Sequence, residues 1–237
     1  QARSPKKCDN SYPRTHSQWN FEMKKSSIRQ AFATLAFLAL LGSTSPLSAH
    51  MAWLATDKEG HALLWFGESV NDRAYTMPER IASMKLTSDG TAVATQSLKT
   101  ADFIGLRSAE EMNSTHELSG TAVYGLYHGM KLTYHVEHLP QQNPADWPKS
   151  LRTGALLQTV ITPSAHEDGG IDVVVFENGK PAADLVVKLY CDEGHEEGEA
   201  TTDAQGRVAF DGSQVESGLN AVMVGVRNEN SAGDLDG

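Results

Sequence analysis

The sequence predicts an all-β protein, two antiparallel β-sandwich domains behind a signal peptide, and three observations predict it. Past residue 50 the apolar residues come in short runs rich in β-branched and aromatic side chains, the pattern of strands. Those runs are separated by Asp-Gly, Asn-Gly and related turn pairs. Ahead of them a basic stretch leads into an uncharged apolar run, which is the layout of a secretory leader.

Residues 1–22 are polar and basic, have no apolar periodicity, and read as a disordered upstream extension outside the fold. Residues 23–49 read as the signal peptide. Met23, Lys24, Lys25 and Arg29 form its basic part, and residues 31–42, AFATLAFLALLG, form an apolar run too short for a comfortable membrane span. Small residues between Ser43 and Ala49 place cleavage after Ala49, so the mature chain is expected to begin at His50 and to keep no stable membrane span. The alternative is a retained apolar anchor. No cysteine stands at the cleavage region to carry a lipid. The expected location is exported, in the periplasm or cell envelope.

Removing the leader changes the charge balance. The whole chain holds 20 Lys and Arg against 30 Asp and Glu; residues 1–49 account for seven and two of these, leaving 13 against 28, a net charge of −15. Such a field repels phosphate backbones and anionic lipid headgroups and attracts cations, so nucleic acid is not expected as a partner. From charge alone, the first reading is that acidity keeps an exported protein soluble. Cys191 is the single cysteine past residue 49, so no internal disulfide is available there and stability has to come from buried core.

An N-terminal β domain is expected over residues 50–139. HALLWFGES (61–69), SMKLTSDGTAVATQSL (83–98) and GTAVYGLYHGMKLTYHVEHL (120–139) are its strand runs, the second folded at Asp89-Gly90 as a hairpin. His128-Gly129 reads as a tight turn or a bulge. Helical turns are expected at TMPERIAS and SAEEMN. Residues 140–170 form a Pro-rich connector, with an apolar stretch near its end that reads as a last strand of the first domain. Residues 171–237 form the second domain. IDVVVFENGKPAADLVVKLYCDE pairs two strands across Asn178-Gly179-Lys180-Pro181, and EATTDAQGRVAFDG and GLNAVMVGVRN supply the rest. The closing SAGDLDG is a turn sequence, so a further terminal strand is expected.

The succession GKPAADLVVKLY, TTDAQGRVAF and a following strand resembles the prealbumin-like or carboxypeptidase-regulatory β-sandwich, an immunoglobulin-like module that is mostly a passive scaffold. With AHMAW at the start, the β-rich middle and this C-terminal module, the chain from residue 50 resembles a family of bacterial exported proteins labelled nickel- or cobalt-uptake associated (NikM-like). The resemblance implies a periplasmic metal-handling role.

Imidazole suits nickel, copper, cobalt and zinc, and eight histidines lie past residue 49: His50, His61, His116, His128, His135, His138, His166 and His195. Three of them crowd into YHGMKLTYHVEH. Strand alternation puts Met130, Leu132, Tyr134, Val136 and His138 on one face and Lys131, Thr133, His135 and Glu137 on the other. A mature His50 would carry an α-amine and an imidazole that chelate one ion in a five- or six-membered ring, a tetragonal geometry favouring nickel(II) or copper(II). The expected ligands are therefore His50, completed by His128, His135 or His138, with nickel first and cobalt or copper next. The ordinary alternative is a frayed terminus and surface histidines.

CDEGHEEGE (191–199) gathers Cys191, Asp192, Glu193, His195, Glu196, Glu197 and Glu199 in one loop, either a Cys191–His195 site or a solvated hairpin loop; the latter is the expectation, because a Gly-rich loop does not preorganise ligands. His166, Glu167 and Asp168 read as a polar loop, and Trp53, Trp65, Tyr124, Tyr127 and Tyr134 read as core. With no Gly-x-Ser-x-Gly elbow, phosphate-binding loop or His-Glu-x-x-His motif, no enzyme is expected. An oxidative copper enzyme built on His50 would need a second histidine close in space. The expected function is a periplasmic metal-binding or metal-uptake accessory protein that hands its ion to a membrane transporter. The alternative is an exported β-sandwich scaffold or adhesion-like interaction module with no metal role.

Overall fold

The computed structural model describes residues 50–127, 130–140, 144, 147, 149, 151, 155–165 and 169–226. The expectations for the leading extension, the signal peptide, His128 and Gly129, most of residues 141–154, residues 166–168 and the closing residues 227–237 lie outside these. The described residues fall within one compact unit. Among them the chain is all-β, every strand pairing is antiparallel, and no helix is long and apolar enough to cross a membrane.

The first hairpin joins β1 (Met51–Thr56) to β2 (His61–Gly67), with Trp53 opposite Trp65 and Leu54 opposite Leu64. Its turn is closed by Asp57, whose amide donates to the His61 carbonyl at 2.9 Å, and by Gly60 at φ 85°, the left-handed position that such a loop needs. The Asp57 carboxylate accepts the amides of Glu59 and His61 and, at 2.9 Å, the Arg107 guanidinium. Burial by itself would raise the Asp57 carboxyl; Arg107 and the His61 amide outweigh it and hold the group below the usual carboxylate range. The helical turn α1 (Glu79–Ala82) falls in TMPERIAS as expected and buries Ile81.

Next come β3 (Lys85–Ser88) and β4 (Thr91–Val93), paired across Asp89 at φ 44° and Gly90 at φ 80°, the mirror-image turn that Asp-Gly predicts. The same run then leaves its hairpin: β5 (Thr95–Lys99) pairs with β6 (Ile104–Glu111) in another sheet. β6 also corrects the expected helical turn at SAEEMN. Ser108 through Glu111 are strand, because pairing with β2 outweighs the local polar pattern, and the buried Ser108 hydroxyl accepts the Ala62 amide at 2.9 Å where the ladder is bulged. β7 (Leu118–Tyr127) and β8 (Met130–His138) form the long hairpin, bulged between Val123 and Gly125. One sheet therefore runs β1-β2-β6-β5 and a second β4-β3-β7-β8.

β9 (Leu157–Pro163) is the strand expected at the end of the connector, but it pairs with β10 (Ile171–Glu177) of the C-terminal part and not with the first domain. The Asn178-Gly179 turn closes only a stub, β11 (Lys180–Pro181), after which β12 (Val186–Cys191) crosses to a different sheet. β13 (Glu196–Thr201) pairs with β12, β14 (Arg207–Phe210) with β10, and β15 (Asn220–Val224) with β12. The third sheet is thus β10 flanked by β9, β11 and β14, and the fourth is β13-β12-β15.

Three cores hold these sheets. Ala52, Leu54, Ala62, Leu64 and Phe66 pack with Leu86, Leu118, Ala122, Tyr134 and Val136 between the first two sheets. Val173, Val175, Val187, Leu189, Val208 and Phe210 fill the space between the last two. The third core uses the opposite face of β1 and β2: Trp53, Ala55, Leu63 and Trp65, with Val70 and Phe103, pack against Tyr190, Leu219 and Ala221. β1 and β2 are therefore buried on both faces, which is why MAWLA and ALLWF are continuous apolar runs and do not alternate. Leu64 has no exposed surface. Leu64→Ala is expected to lower the unfolding free energy by about 3 kcal/mol, whereas Val123→Ala, on an exposed face, changes it by less than about 0.5 kcal/mol; urea denaturation of both variants measures the difference.

Candidate metal-binding sites

His50 immediately precedes β1 and is not frayed. Its carbonyl accepts the Tyr134 hydroxyl at 2.9 Å, its ring centre lies 3.9 Å from that of Tyr75 and 5.8 Å from that of Phe66, and its Nε2 faces the Glu68 carboxylate at 3.8 Å. The imidazole side chain is 25 % exposed and Glu68 is 56 % exposed, so the pair opens to solvent. Glu68 is held by the loop that follows β2. Gly67 lets the Asp72 backbone close onto it where any Cβ would collide, and Asp72 in turn accepts the Glu68 amide at 3.0 Å.

The other expected ligands are elsewhere. His138 is 8 % exposed on the core face of β8, with Nε2 3.3 Å from the Thr56 hydroxyl. Thr56 ends β1 and His50 precedes it, so the strand rise of about 3.3 Å per residue separates the two imidazoles by about 20 Å. His135 occupies the opposite face of β8, as alternation predicts, with Nδ1 3.0 Å from the Thr121 hydroxyl. His128 lies outside the described residues. The set His50, His135 and His138 is thus not brought together: β8 packs across the core from β1 as part of the other sheet, His138 lies at the end of β1 away from His50, and His135 is on the opposite face of β8 from His138. Glu68 is the partner the sequence did not reveal, since a lone glutamate after a strand carries no spacing signal.

Among the described residues, one group of three metal-ligating side chains converges: Cys191, His195 and Glu197, with ligand atoms all within 4.8 Å of one another. They sit on the β12–β13 turn. The Cys191 amide donates to the His195 carbonyl at 3.0 Å, the Gly194 amide donates to the Cys191 carbonyl at 2.9 Å, and Gly194 takes φ 81°. The turn is the solvated hairpin loop expected, with Asp192, Glu193 and His195 exposed, and it is also held from the loop that follows β2. Arg73 bonds Asp192 at 2.9 Å, the Asn71 side chain donates to the Glu193 carbonyl, and a Cβ on Gly194 would strike Asn71. Burial raises the Cys191 thiol above its ordinary range.

His138 behaves as a core group. Burial lowers it from an ordinary 6.5 to about 4, so it stays neutral at pH 7. As the pH falls, the unfolded chain takes up this proton before the folded one does; the contribution is full above about 6.5 and is lost towards 4. Between pH 7 and pH 5 this histidine is expected to cost about 2 kcal/mol of stability. Urea denaturation of His138→Gln at the two pH values should show that much less loss than the parent protein. Comparison of the chain with protein families, with curated proteins and with solved structures finds no match.

Proposed function

We propose that this is an exported metal-binding accessory protein that captures nickel(II), with cobalt(II) or copper(II) next, at His50, and passes it to a membrane transporter. The observation that carries the reading is the environment of His50: a ring packed at a tilt against Tyr75, a bonded carbonyl, and Nε2 turned towards Glu68. Cleavage after Ala49 frees the α-amine at this point. The amine and Nδ1 then close a chelate ring, while a carboxylate facing the other ring nitrogen is the outer partner that fixes a ligating imidazole in one tautomer. The acidic field of the mature chain draws cations towards it. In the same proposal each half is an immunoglobulin-like sandwich; supporting it, two antiparallel sheets enclose one core in each half.

Native intact-mass spectrometry of the secreted protein with and without nickel and copper tests this. The expected result is a chain starting at His50 with one ion held, the ion being lost when one alanine is added before His50 and bound at least tenfold more weakly in Glu68→Gln. A different start, or equal binding by the extended chain, overturns it.

A second reading, an exported interaction module with no metal role, is favoured by a cavity of about 670 Å³ bordered by β1, β8, β9 and β15 and lined by side chains such as Met51, Trp53, Val136, Leu157 and Val222. Trp65 also lines it, and its buried indole N–H has no acceptor among the described residues. Capture of one envelope partner, unaffected by chelator and by His50→Ala, would replace the metal reading with this one.

A further inference from the structure

The fourth sheet contains a feature that the His50 reading does not use. Opposite β12, the β13 ladder slips by one residue between Leu189 and Tyr190: Leu189 faces Gly198, but Tyr190 faces Glu196. Without that bulge Glu196 would stand opposite Cys191; with it, His195 does, as the bond from the Cys191 amide to the His195 carbonyl records. The bulge also sorts the acidic residues of the loop. Glu196 and Glu199 turn to the other face, where both hold Lys188 at 2.8 and 3.1 Å, while Glu197 joins Cys191 and His195.

We infer that Cys191, His195 and Glu197 form a second metal site, for a divalent ion that accepts thiolate, imidazole and carboxylate together, of which zinc(II) is the type and cobalt(II) the spectroscopic probe. Ligands around a tetrahedral zinc stand about 3.5 Å apart. The three atoms already lie within 4.8 Å, and the two that must close in belong to the side chains nearer solvent. The sulfur, on a residue 1 % exposed, forms the floor, and His195, 60 % exposed, forms the rim. Glu193, 3.8 Å from His195 Nδ1, is placed to orient the ring from outside.

Three protein ligands leave a fourth position open for water or for a ligand from another molecule, unlike the closed four-ligand set of a structural zinc site. Uptake exchanges the Cys191 S–H bond for an S–metal bond and releases the proton to solvent, so binding strengthens as the pH rises. Asn71 and Arg73 act as positioning residues: by holding Asp192, Glu193 and Gly194 they fix the turn that presents His195 beside the sulfur.

Cobalt(II) titration of the full chain carrying Cys8→Ser, so that Cys191 is its sole thiol, tests the site by absorption spectroscopy. One equivalent should produce a thiolate-to-cobalt charge-transfer band with the intense visible absorption of a tetrahedral ion. Cys191→Ser should abolish the band. His195→Ala, at a position too exposed to govern folding, and Glu197→Gln should each weaken cobalt binding at least tenfold, and Arg73→Ala should weaken it with the spectrum unchanged. His50→Ala should leave the band intact, which separates this site from the one at the start of β1. No charge-transfer band at saturating cobalt, or a band indifferent to both His195→Ala and Glu197→Gln, overturns the inference.

Discussion

Burial of the β1–β2 hairpin on both faces is the constraint on which the rest of this structure depends. An antiparallel hairpin with one apolar face needs a single covering layer; this one presents Leu54 and Leu64 to one side and Trp53 and Trp65 to the other, and both faces must be taken out of water. The β3-β7-β8 side supplies the first cover. Tyr190, Leu219 and Ala221, from strands and a loop far along the chain, supply the second. The described C-terminal strands are therefore more than an appended module, since their fourth sheet closes a core that the first hairpin opens. Trp53 and Tyr190 meet edge to face at 6.0 Å across that seam.

The loop leaving β2 inherits this position and connects the chemistry at its two ends. Glu68, at its start, faces His50; Asn71 and Arg73, further on, grip the β12–β13 turn. Arg73 also lies over the Trp65 ring, its guanidinium carbon 4.8 Å from the ring centre, so a charge anchored on the core is what holds Asp192. Rigidity reaches the proposed ligands from buried aromatics through this short segment, which is the support a preorganised site requires.

Charge is distributed by the same logic. Asp57 is tied to Arg107, Asp192 to Arg73, and Glu196 and Glu199 to Lys188. With so few basic residues past residue 49, each paired cation leaves other carboxylates for solvent or for added ions, and Glu68 and Glu197 are two that stand beside imidazoles instead. The acidity read as a general attraction for cations thus resolves into particular groups with particular neighbours.

The sequence by itself determined most of the strand runs past residue 60, several of their turns and the two faces of β8. Asp89-Gly90 and Asn178-Gly179 each take the left-handed backbone their residue types favour, and Tyr134, Val136 and His138 turn inward while His135 turns out, because turn chemistry and side-chain alternation are local properties. The apolar runs of β1 and β2 do not alternate, and only the structure shows that both faces of the hairpin are covered. Tertiary structure alone decided which sheet β5, β9, β12 and β14 join, that SAEEMN extends β6, that His50 meets Glu68 and not the β8 histidines, and that a one-residue bulge turns Glu197 towards Cys191. Each of these depends on pairing between distant segments, and a register shift of one residue exchanges the faces of a strand without altering its local pattern.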